Sequence, residues 1–385
     1  MVASVRQLFY HRQMAKPFKR TDIAAICGRA GLAAIVLATT GCTSSRMLDR
    51  HADCVAPTAL PTVRPMPQDE KAVRLSVLIY NVEGLPWPAR KNREPSLRRI
   101  GETLQTMRAK GTGPDVVMLQ EAFTPAARHI LVQAGYANIV SGPGRRTRRS
   151  IAAADIDTSF KKARKRKKGE RFGRLLNSGL YIASDLPLTV LAAEPFSRRA
   201  CAGFDCLANK GALVAEVHVG GMPQPLVLLT THLNSQRAAR VSLGRAREAH
   251  GYQIDENALL LDEVREPSSP LILGGDFNMR GDISRFEAFA NAQPYRIVHE
   301  FCISQPDVCA AKLSFDGDEP WLDTQDLQAY DHGRAIAMVP VEIAAMFDGL
   351  RGERLSDHDG LLVTYEMRWP SALGNSTPPV PVCSI

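Results

Sequence analysis

One eight-residue segment, residues 271–278, constrains the fold of this 385-residue chain more than any other stretch. It reads Leu-Ile-Leu-Gly-Gly-Asp-Phe-Asn, and a short apolar run of this kind is typical of a buried strand. Two glycines allow the backbone to turn sharply where the strand ends. Asp276 and Asn278 then follow at its carboxyl end. An Asx turn that closes a strand uses the same residue types, so this segment alone leaves open whether the strand end is a site.

Four further apolar runs also meet polar side chains at a strand end. They are predicted as strands at 75–80, 115–120, 226–231 and 360–365. The polar residues beside them, in chain order, are Asn81, Glu121, His232, Asn234, Asp357 and His358. A lone acid or histidine in such a place is usually solvated or structural. Carboxylate and amide oxygens together suit a hard divalent cation, and imidazoles beside them transfer protons. The set therefore predicts a metal-dependent acid–base site.

These segments resemble, in order and spacing, the signature segments of the endonuclease/exonuclease/phosphatase superfamily, which are magnesium-dependent enzymes that cleave phosphate esters. The resemblance covers residues 72–368. It implies an α+β fold, a four-layer α/β/β/α sandwich of two mixed sheets flanked by helices. Because no Pro/Gly-rich break divides this range, one catalytic domain is expected. Helical patterns at 95–110, 124–134, 241–264 and 282–291 suit that fold, the third with a predicted interruption near Gly251.

A second resemblance concerns the branch of the superfamily. Asp205 stands five residues before Lys210-Gly211, and this pair leads into the strand before the one that ends in Thr231-His232-Leu233. That arrangement is similar to the neutral and bacterial sphingomyelinases. A lysine at a strand mouth suits a phosphodiester oxygen or an Asp partner, although a surface lysine before a glycine turn has the same sequence.

The branch resemblance implies phospholipase C-like release of a phosphorylated headgroup by direct attack of water. Two alternatives of the same superfamily stay open, namely an exported endonuclease and a phosphomonoesterase. An alternative of another class is a catalytically silent module that binds a membrane or a partner.

The superfamily resemblance also implies ligands for the metal and the phosphate. Glu121 and Asn81 are expected to hold Mg²⁺, or Mn²⁺ or another divalent cation, with Asp357 as a further ligand. The substrate phosphate is expected to contact Asn81, Lys210 and Asn234.

For the chemical step, Asp276 is predicted to orient and deprotonate the attacking water, with Asn278 on a phosphate oxygen. His358 and His232 take the acid and base roles in an order that the sequence leaves open. Asp326 is predicted to pair with His232, with Asp331 as the fallback, although the surrounding segment departs from the family pattern. The predicted catalytic set is His232, Asp276, Asn278, Asp326, Asp357 and His358.

The amino-terminal residues read as a targeting segment. Positive residues precede an apolar stretch at 30–38, which is too short to span a bilayer, and Gly41-Cys42 follows. This resembles a bacterial lipoprotein signal over residues 1–41, with Cys42 as the lipidated residue, 42–71 as a tether and 369–385 as a carboxyl-terminal tail. Ordinary secretion and an uncleaved anchor are the alternatives. We expect an exported, membrane-anchored monomer on the periplasmic side or the cell surface.

Cysteine usage agrees with export, because six cysteines remain after removal of the leader and Cys42. Proximity in sequence favours two local disulfides and leaves a third pair to join the termini. The three pairs are Cys201 with Cys206, Cys302 with Cys309, and Cys54 with Cys383. A zinc site or free buried thiols are the alternatives, the former weakened by the lack of a Cys-x-x-Cys pair.

Positive charge is concentrated in one segment. The formal net charge is +8, yet the leader has six Lys/Arg against one Asp, and residues 145–174 have thirteen Lys/Arg against three acids. The remainder of the chain therefore carries a net charge of −7. A basic insertion of this kind binds anionic membrane lipids or, as runner-up, nucleic acid. A solvated, disordered insertion is the third reading.

Overall fold

The computed structural model describes residues 60–314 and 319–374. Its strands are β1 (Arg64–Met66), β2 (Glu70–Asn81), β3 (Val116–Gln120), β4 (Asn138–Ser141), β5 (Tyr181–Ser184), β6 (Leu188–Pro195), β7 (Gly211–Val217), β8 (Leu226–His232), β9 (Leu271–Asp276), β10 (Arg296–Ile297), β11 (Ala310–Lys312), β12 (Asp326–Asp331), β13 (Ala337–Met346) and β14 (Gly360–Pro370). Its helices are α1 (Glu94–Ala109), α2 (Pro125–Gln133), α3 (Thr158–Lys162), α4 (Leu243–Val264), α5 (Ile283–Ala292), α6 (Val298–Ser304) and α7 (Pro320–Asp323).

The strands form two mixed sheets. The first has the order β11-β13-β14-β2-β3-β5-β4, with β1 paired to β2, and the second has the order β10-β12-β9-β8-β7-β6. At the centre of each sheet is a parallel pair, β2 with β3 in the first and β8 with β9 in the second. The carboxyl ends of each pair therefore lie side by side, at one edge of their sheet.

Side chains that alternate in direction along the central strands pack in different layers of the fold. Ile79 of β2 packs in the core between the two sheets, whereas Leu78 packs on the other face with Leu97 of α1. On the second sheet, Leu229 of β8 packs outward with Leu260 of α4. Successive side chains of a strand point to opposite faces, so both sheets are covered on both sides. The predicted α/β/β/α sandwich is confirmed.

The four predicted helices correspond to α1, α2, α4 and α5, but the interruption predicted near Gly251 is wrong. Helix α4 is continuous from Leu243 to Val264. Ala249 and Ile254, on either side of the glycine, are buried in the same apolar cluster. Tertiary burial of both halves outweighs the helix propensity that a single glycine loses.

The ordered sheet extends beyond the predicted domain limits at both ends. Residues 64–66 pair antiparallel with 70–72, so strand structure begins inside the segment predicted as a tether. Trp369, in the segment predicted as a tail, is 1% exposed and belongs to the core between the sheets. Both segments supply backbone or apolar surface that the first sheet needs. Cys42, Cys54, Cys383 and the leader lie outside the described residues.

Residues 145–174 are packed on the fold. The segment contains α3 and a 3-10 helical turn at Arg166–Lys168, and Phe160 within it is buried. Glu170 is also buried and pairs with Arg245 of α4 at 2.7 Å. These contacts do not fit the reading of a disordered, solvated insertion.

Two of the three predicted disulfides are confirmed, Cys201–Cys206 and Cys302–Cys309. Within residues 60–314 and 319–374, no helix is long and apolar enough to cross a membrane.

Candidate active site

The predicted site residues meet where the two parallel strand pairs end. Asn81 is the last residue of β2, and Glu121 directly follows the neighbouring β3. His232 and Asp276 end β8 and β9 and are partners in the strand register. Asn81 Nδ2 donates a hydrogen bond to Asp276 Oδ2 at 2.9 Å, which joins the two sheets at this edge.

The backbone turns sharply where these strands end. Glu121 and Asn278 both have positive φ, 56° and 53°, a conformation that costs energy for residues other than glycine. Gly275 has a φ of 155°, and a Cβ there would lie 2.0 Å from the carbonyl oxygen of Thr231. Only glycine fits between β8 and β9 at this point. Strained backbone is often found at functional sites, where it aims a side chain.

His358 and Asp326 form a buried ion pair in this cluster. His358 Nδ1 donates to Asp326 Oδ2 at 2.6 Å, and its Nε2 lies 3.8 Å from Asp276 Oδ2. Gln325 and Asn81 contact the same Nε2, at 2.7 and 3.4 Å. Burial lowers the pKa of His358, but the charges of Asp326 and Asp276 outweigh it and raise the pKa to about 10. The carboxylate of Asp326 thus holds a charged imidazole in one orientation.

The predicted partner of Asp326 was His232, and the structure corrects this. Strand β12 joins β9 on the side opposite β8, with Asp326 in register with Asp276. Asp276 therefore stands between Asp326 and His232. The fallback, Asp331, lies at the far end of β12 and pairs with Arg265 at 2.8 Å, away from this edge.

On the other side of Asp276, Lys210 contacts His232. Lys210 Nζ donates to His232 Nε2 at 3.0 Å and to the carbonyl oxygen of Leu233 at 2.9 Å. It also pairs with Asp205 at 3.3 Å, the acid whose spacing the sequence had singled out. Burial, then the charges of Lys210 and His358, hold the pKa of His232 well below its usual value. The two site imidazoles therefore differ: His358 is charged and His232 is neutral.

The carboxylates of the cluster suit a divalent cation. Burial raises the pKa of Glu121, and it raises that of Asp276 to about 7. Among the described residues, carboxylate oxygens of Asp276 and Asp326 lie within 4.8 Å of each other, and Asp326 Oδ1 is buried without a hydrogen-bond partner. Buried carboxylates are costly unless they are paired or coordinate a metal, and their oxygens are the ligands that Mg²⁺ prefers.

Two predicted site residues are engaged elsewhere. The side chain of Asp357 is 49% exposed and pairs with Arg90 at 2.9 Å, while its Oδ1 lies 3.9 Å from His358 Nε2. Asn234 is fully buried, and its Oδ1 accepts from the amide of Ala202 at 2.9 Å. Its Nδ2 donates to the carbonyl oxygen of Ser235 at 3.0 Å. These bonds favour a structural role for Asn234 over the predicted phosphate contact.

Asn278 lies at the cluster, where its backbone amide donates to Asp276 Oδ1 at 2.9 Å and its Nδ2 donates to Leu233 O at 3.1 Å. Sequence reasoning missed Gln325 and Ser356. Ser356 Oγ donates to the carbonyl oxygen of Asn81 at 2.7 Å and so ties the His358 segment to β2. Both stand within two residues of a predicted site residue, and that proximity was the only signal for them.

The match to a family model identifies this two-sheet sandwich, with the acid–base cluster at its edge, as a hydrolase fold. The chain belongs to the Endonuclease/Exonuclease/phosphatase family, which its sequence matches over residues 78–358. No curated protein matches it in a search of full sequences.

Solved structures share the fold at low sequence identity. A beta toxin from Staphylococcus aureus is similar with a TM-score of 0.53 and 17% identity, over 75% of this chain and 99% of that one. A doubly substituted variant of that toxin with bound magnesium ions gives 0.54 and 18%, over 75% and 98%. Sphingomyelinase C from Streptomyces griseocarneus gives 0.49 and 18%, over 76% and 99%.

Proposed function

We propose that this protein is a divalent-metal-dependent phosphodiesterase that releases a phosphorylated headgroup from a phospholipid, in the manner of a sphingomyelinase or phospholipase C. The observation that carries the proposal is the series of hydrogen-bonded and ion-paired side chains at the strand ends. Asp326 holds His358, Asp276 lies between the two imidazoles, and Lys210 contacts His232. It supplies a base, positive groups for a phosphate, and buried carboxylates for a cation.

Glu121 and Asn81 are the residues that would hold Mg²⁺ or Mn²⁺. Their oxygens come from the ends of adjacent strands, and a neighbouring cation would stabilise the charged form of Glu121, whose pKa desolvation raises. These residues would hold the ion where it could polarise a phosphoryl oxygen and neutralise the charge that develops there. The magnesium ions in the similar beta toxin variant support this assignment.

The side chains of the site carry out proton removal and stabilise charge. Asp276, with a pKa raised to about 7, is basic enough to take a proton from the attacking water near neutral pH. The water oxygen bonds to phosphorus as the ester P–O bond breaks, the leaving oxygen takes a proton from solvent, and Asp276 returns its proton to solvent. Charged His358 and Lys210 lie on opposite sides of Asp276, where they would stabilise the negative charge that the phosphate gains.

The substrate class follows from Lys210 and from the distribution of charge. The Lys210-Gly211 pair resembles the Lys-Gly pair of the sphingomyelinases, and Lys210 contacts His232 at 3.0 Å. Positive charge lies mainly in residues 145–174, while most of the chain is acidic. A nuclease usually presents a basic face over much of its surface, to neutralise several phosphates. The basic segment itself keeps an endonuclease as the second candidate.

Export is part of the proposal. The lipoprotein-like leader and Cys42 would place the enzyme at a membrane, and the two disulfides fit an oxidising compartment.

A substrate panel in Mg²⁺ tests the function, with sphingomyelin, phosphatidylcholine, inositol phosphates, plasmid DNA and bis-p-nitrophenyl phosphate. We expect headgroup release that EDTA abolishes. Glu121→Ala should lose turnover by about 10²-fold or more and weaken Mg²⁺ binding measured by calorimetry. Glu102→Ala, an exposed site on α1, is the matched control.

Full turnover in EDTA would refute the metal assignment. Plasmid nicking without headgroup release would show that the substrate is nucleic acid and not a lipid. If no substrate is turned over, the result would favour the alternative that the protein is a catalytically silent binding module.

A further inference from the structure

Residues 162–175 form, with one neighbouring turn, a surface that is both basic and apolar. We call it the basic–apolar patch. Its exposed side chains are Lys162, Lys165, Arg166, Lys167, Arg171, Phe172, Leu175 and Phe204. In the described part of the chain, the three lysines form no ion pair, so their charges are available to an external anion.

The apolar members of the patch are large and project among the cations. Phe172 and Leu175 are 58% and 57% exposed, and Phe204 is 39% exposed. Arg166 lies over the ring of Phe172, with 5.3 Å between the guanidinium carbon and the ring centroid. Apolar side chains interleaved with Lys and Arg are typical of surfaces that enter the headgroup layer of a bilayer.

The patch is held rigidly, although its sequence is highly charged. Glu170 is buried, accepts from the amide of Gly203 at 3.0 Å and pairs with Arg245 at 2.7 Å. The guanidinium of Arg245 in turn lies 4.2 Å from the ring centroid of Phe160. A scaffold of this kind fixes the exposed cations in place, so less conformational entropy is lost when they bind.

The patch adjoins the candidate active site. Phe204 and Asp205 are neighbours in one 3-10 helical turn, residues 203–207, and the turn packs on Gly169. Asp205 pairs with Lys210, which contacts His232. A surface that docks through Phe204 is therefore only two side-chain contacts from a site imidazole.

We propose that the basic–apolar patch docks the protein on the anionic surface of a lipid membrane. A membrane fits better than nucleic acid, because exposed Leu175 has no ring on which a base can stack, whereas an apolar side chain among cations can enter the headgroup layer of a bilayer. The proposal names a partner surface beyond the proposed function. Any effect of the docking on turnover rests on the proposed function, whereas binding to the membrane does not.

Vesicle sedimentation in EDTA tests the binding without turnover. The full chain with Cys42→Ser, which removes the candidate lipid anchor, is mixed with phosphatidylcholine vesicles with and without phosphatidylserine. We expect binding only to the anionic vesicles, and loss of it as salt screens the charges. Changing Lys162, Lys165 and Lys167 together to Gln should weaken binding by about 100-fold, from about fivefold for each cation.

The matched control changes Arg98 and Arg99 of α1, and Lys110 directly after it, to Gln, which removes the same charge from another exposed surface. It should leave vesicle binding unchanged. A second pair separates the apolar contribution: Phe172→Ala with Leu175→Ala should weaken binding, whereas Ile283→Ala with Leu322→Ala, of similar exposure, should not. Thermal unfolding of each variant checks that the fold is intact.

Two results would overturn the proposal. One is equal weakening by the α1 control, which would show a diffuse effect of net charge. The other is tight binding of a single-stranded oligonucleotide, lost in the lysine variant, with no binding to anionic vesicles. Because no step requires hydrolysis, a failure here differs from a failure of the substrate panel.

Discussion

The buried pair of Asp326 and His358 offers the sharpest test of the site. Asp326→Asn keeps the size and shape of the side chain but removes its charge, and it leaves the 2.6 Å contact to His358 Nδ1 without an anionic acceptor. The imidazole then loses the partner that raises its pKa and sets its orientation. We expect His358 to be less often charged and less well aimed at Asp276.

The expected fall in turnover can be calculated from the distance between the two charges. Two unit charges about 4 Å apart interact by about 4 kcal/mol at an effective dielectric constant of about 20. If the charged imidazole acts on the transition state, losing this interaction slows turnover by about 10³-fold. That value lies within the range of about 10²–10⁴ found for acid–base groups. Because Asn fills the same space, we expect little change in thermal stability and a fall mainly in kcat.

Steady-state kinetics on bis-p-nitrophenyl phosphate and on the best lipid substrate measure the effect. Asp331→Asn is a matched control, since it makes the same change at the other end of β12, where the partner is Arg265. A loss below about tenfold in Asp326→Asn, with the fold intact, would refute the role of the pair. An equal loss in Asp331→Asn would show that the effect comes from the strand and not from the imidazole.

Three further predictions concern stability, measured by urea unfolding. Removing the Cys302–Cys309 disulfide with two Ser substitutions should lower the unfolding free energy by about 2–3 kcal/mol, because the bond closes a short loop with a sequence separation of 7; an unchanged midpoint would contradict this. Gly275→Ala should prevent folding or cost several kcal/mol, since its Cβ would meet Thr231 O at 2.0 Å. Gly251→Ala, in open space on α4, should instead stabilise by about 1 kcal/mol, and a loss there would contradict a continuous helix.

Much of the fold and the site could be predicted because strand ends are local signals. Asn81, Glu121, His232 and Asp276 each follow an apolar run, and parallel neighbours bring such ends together at one edge. The spacing between Asp205 and Lys210 is likewise local, and the structure joins them as an ion pair.

The pairing of Asp326 required strand order, which no local pattern encodes. Strand β12 joins β9 after a connection of about fifty residues, and only this register places Asp326 beside His358 and Gln325 beside its Nε2. Helix α4 continues through Gly251 because of burial on both sides of it. In the basic segment, the run of charges concealed Phe160 and Glu170, whose burial holds that segment on the domain.

The division of the site between the two sheets has a consequence for how activity is lost. Asn81, Glu121 and His358 lie at strand ends of the first sheet, whereas His232, Asp276 and Asp326 belong to the second. The hydrogen bond from Asn81 to Asp276 joins residues 195 positions apart in the chain. Neither half of the molecule holds a working set of groups alone. Catalytic activity should therefore depend on how one sheet packs on the other. A small displacement between the sheets should abolish activity while each sheet is still folded.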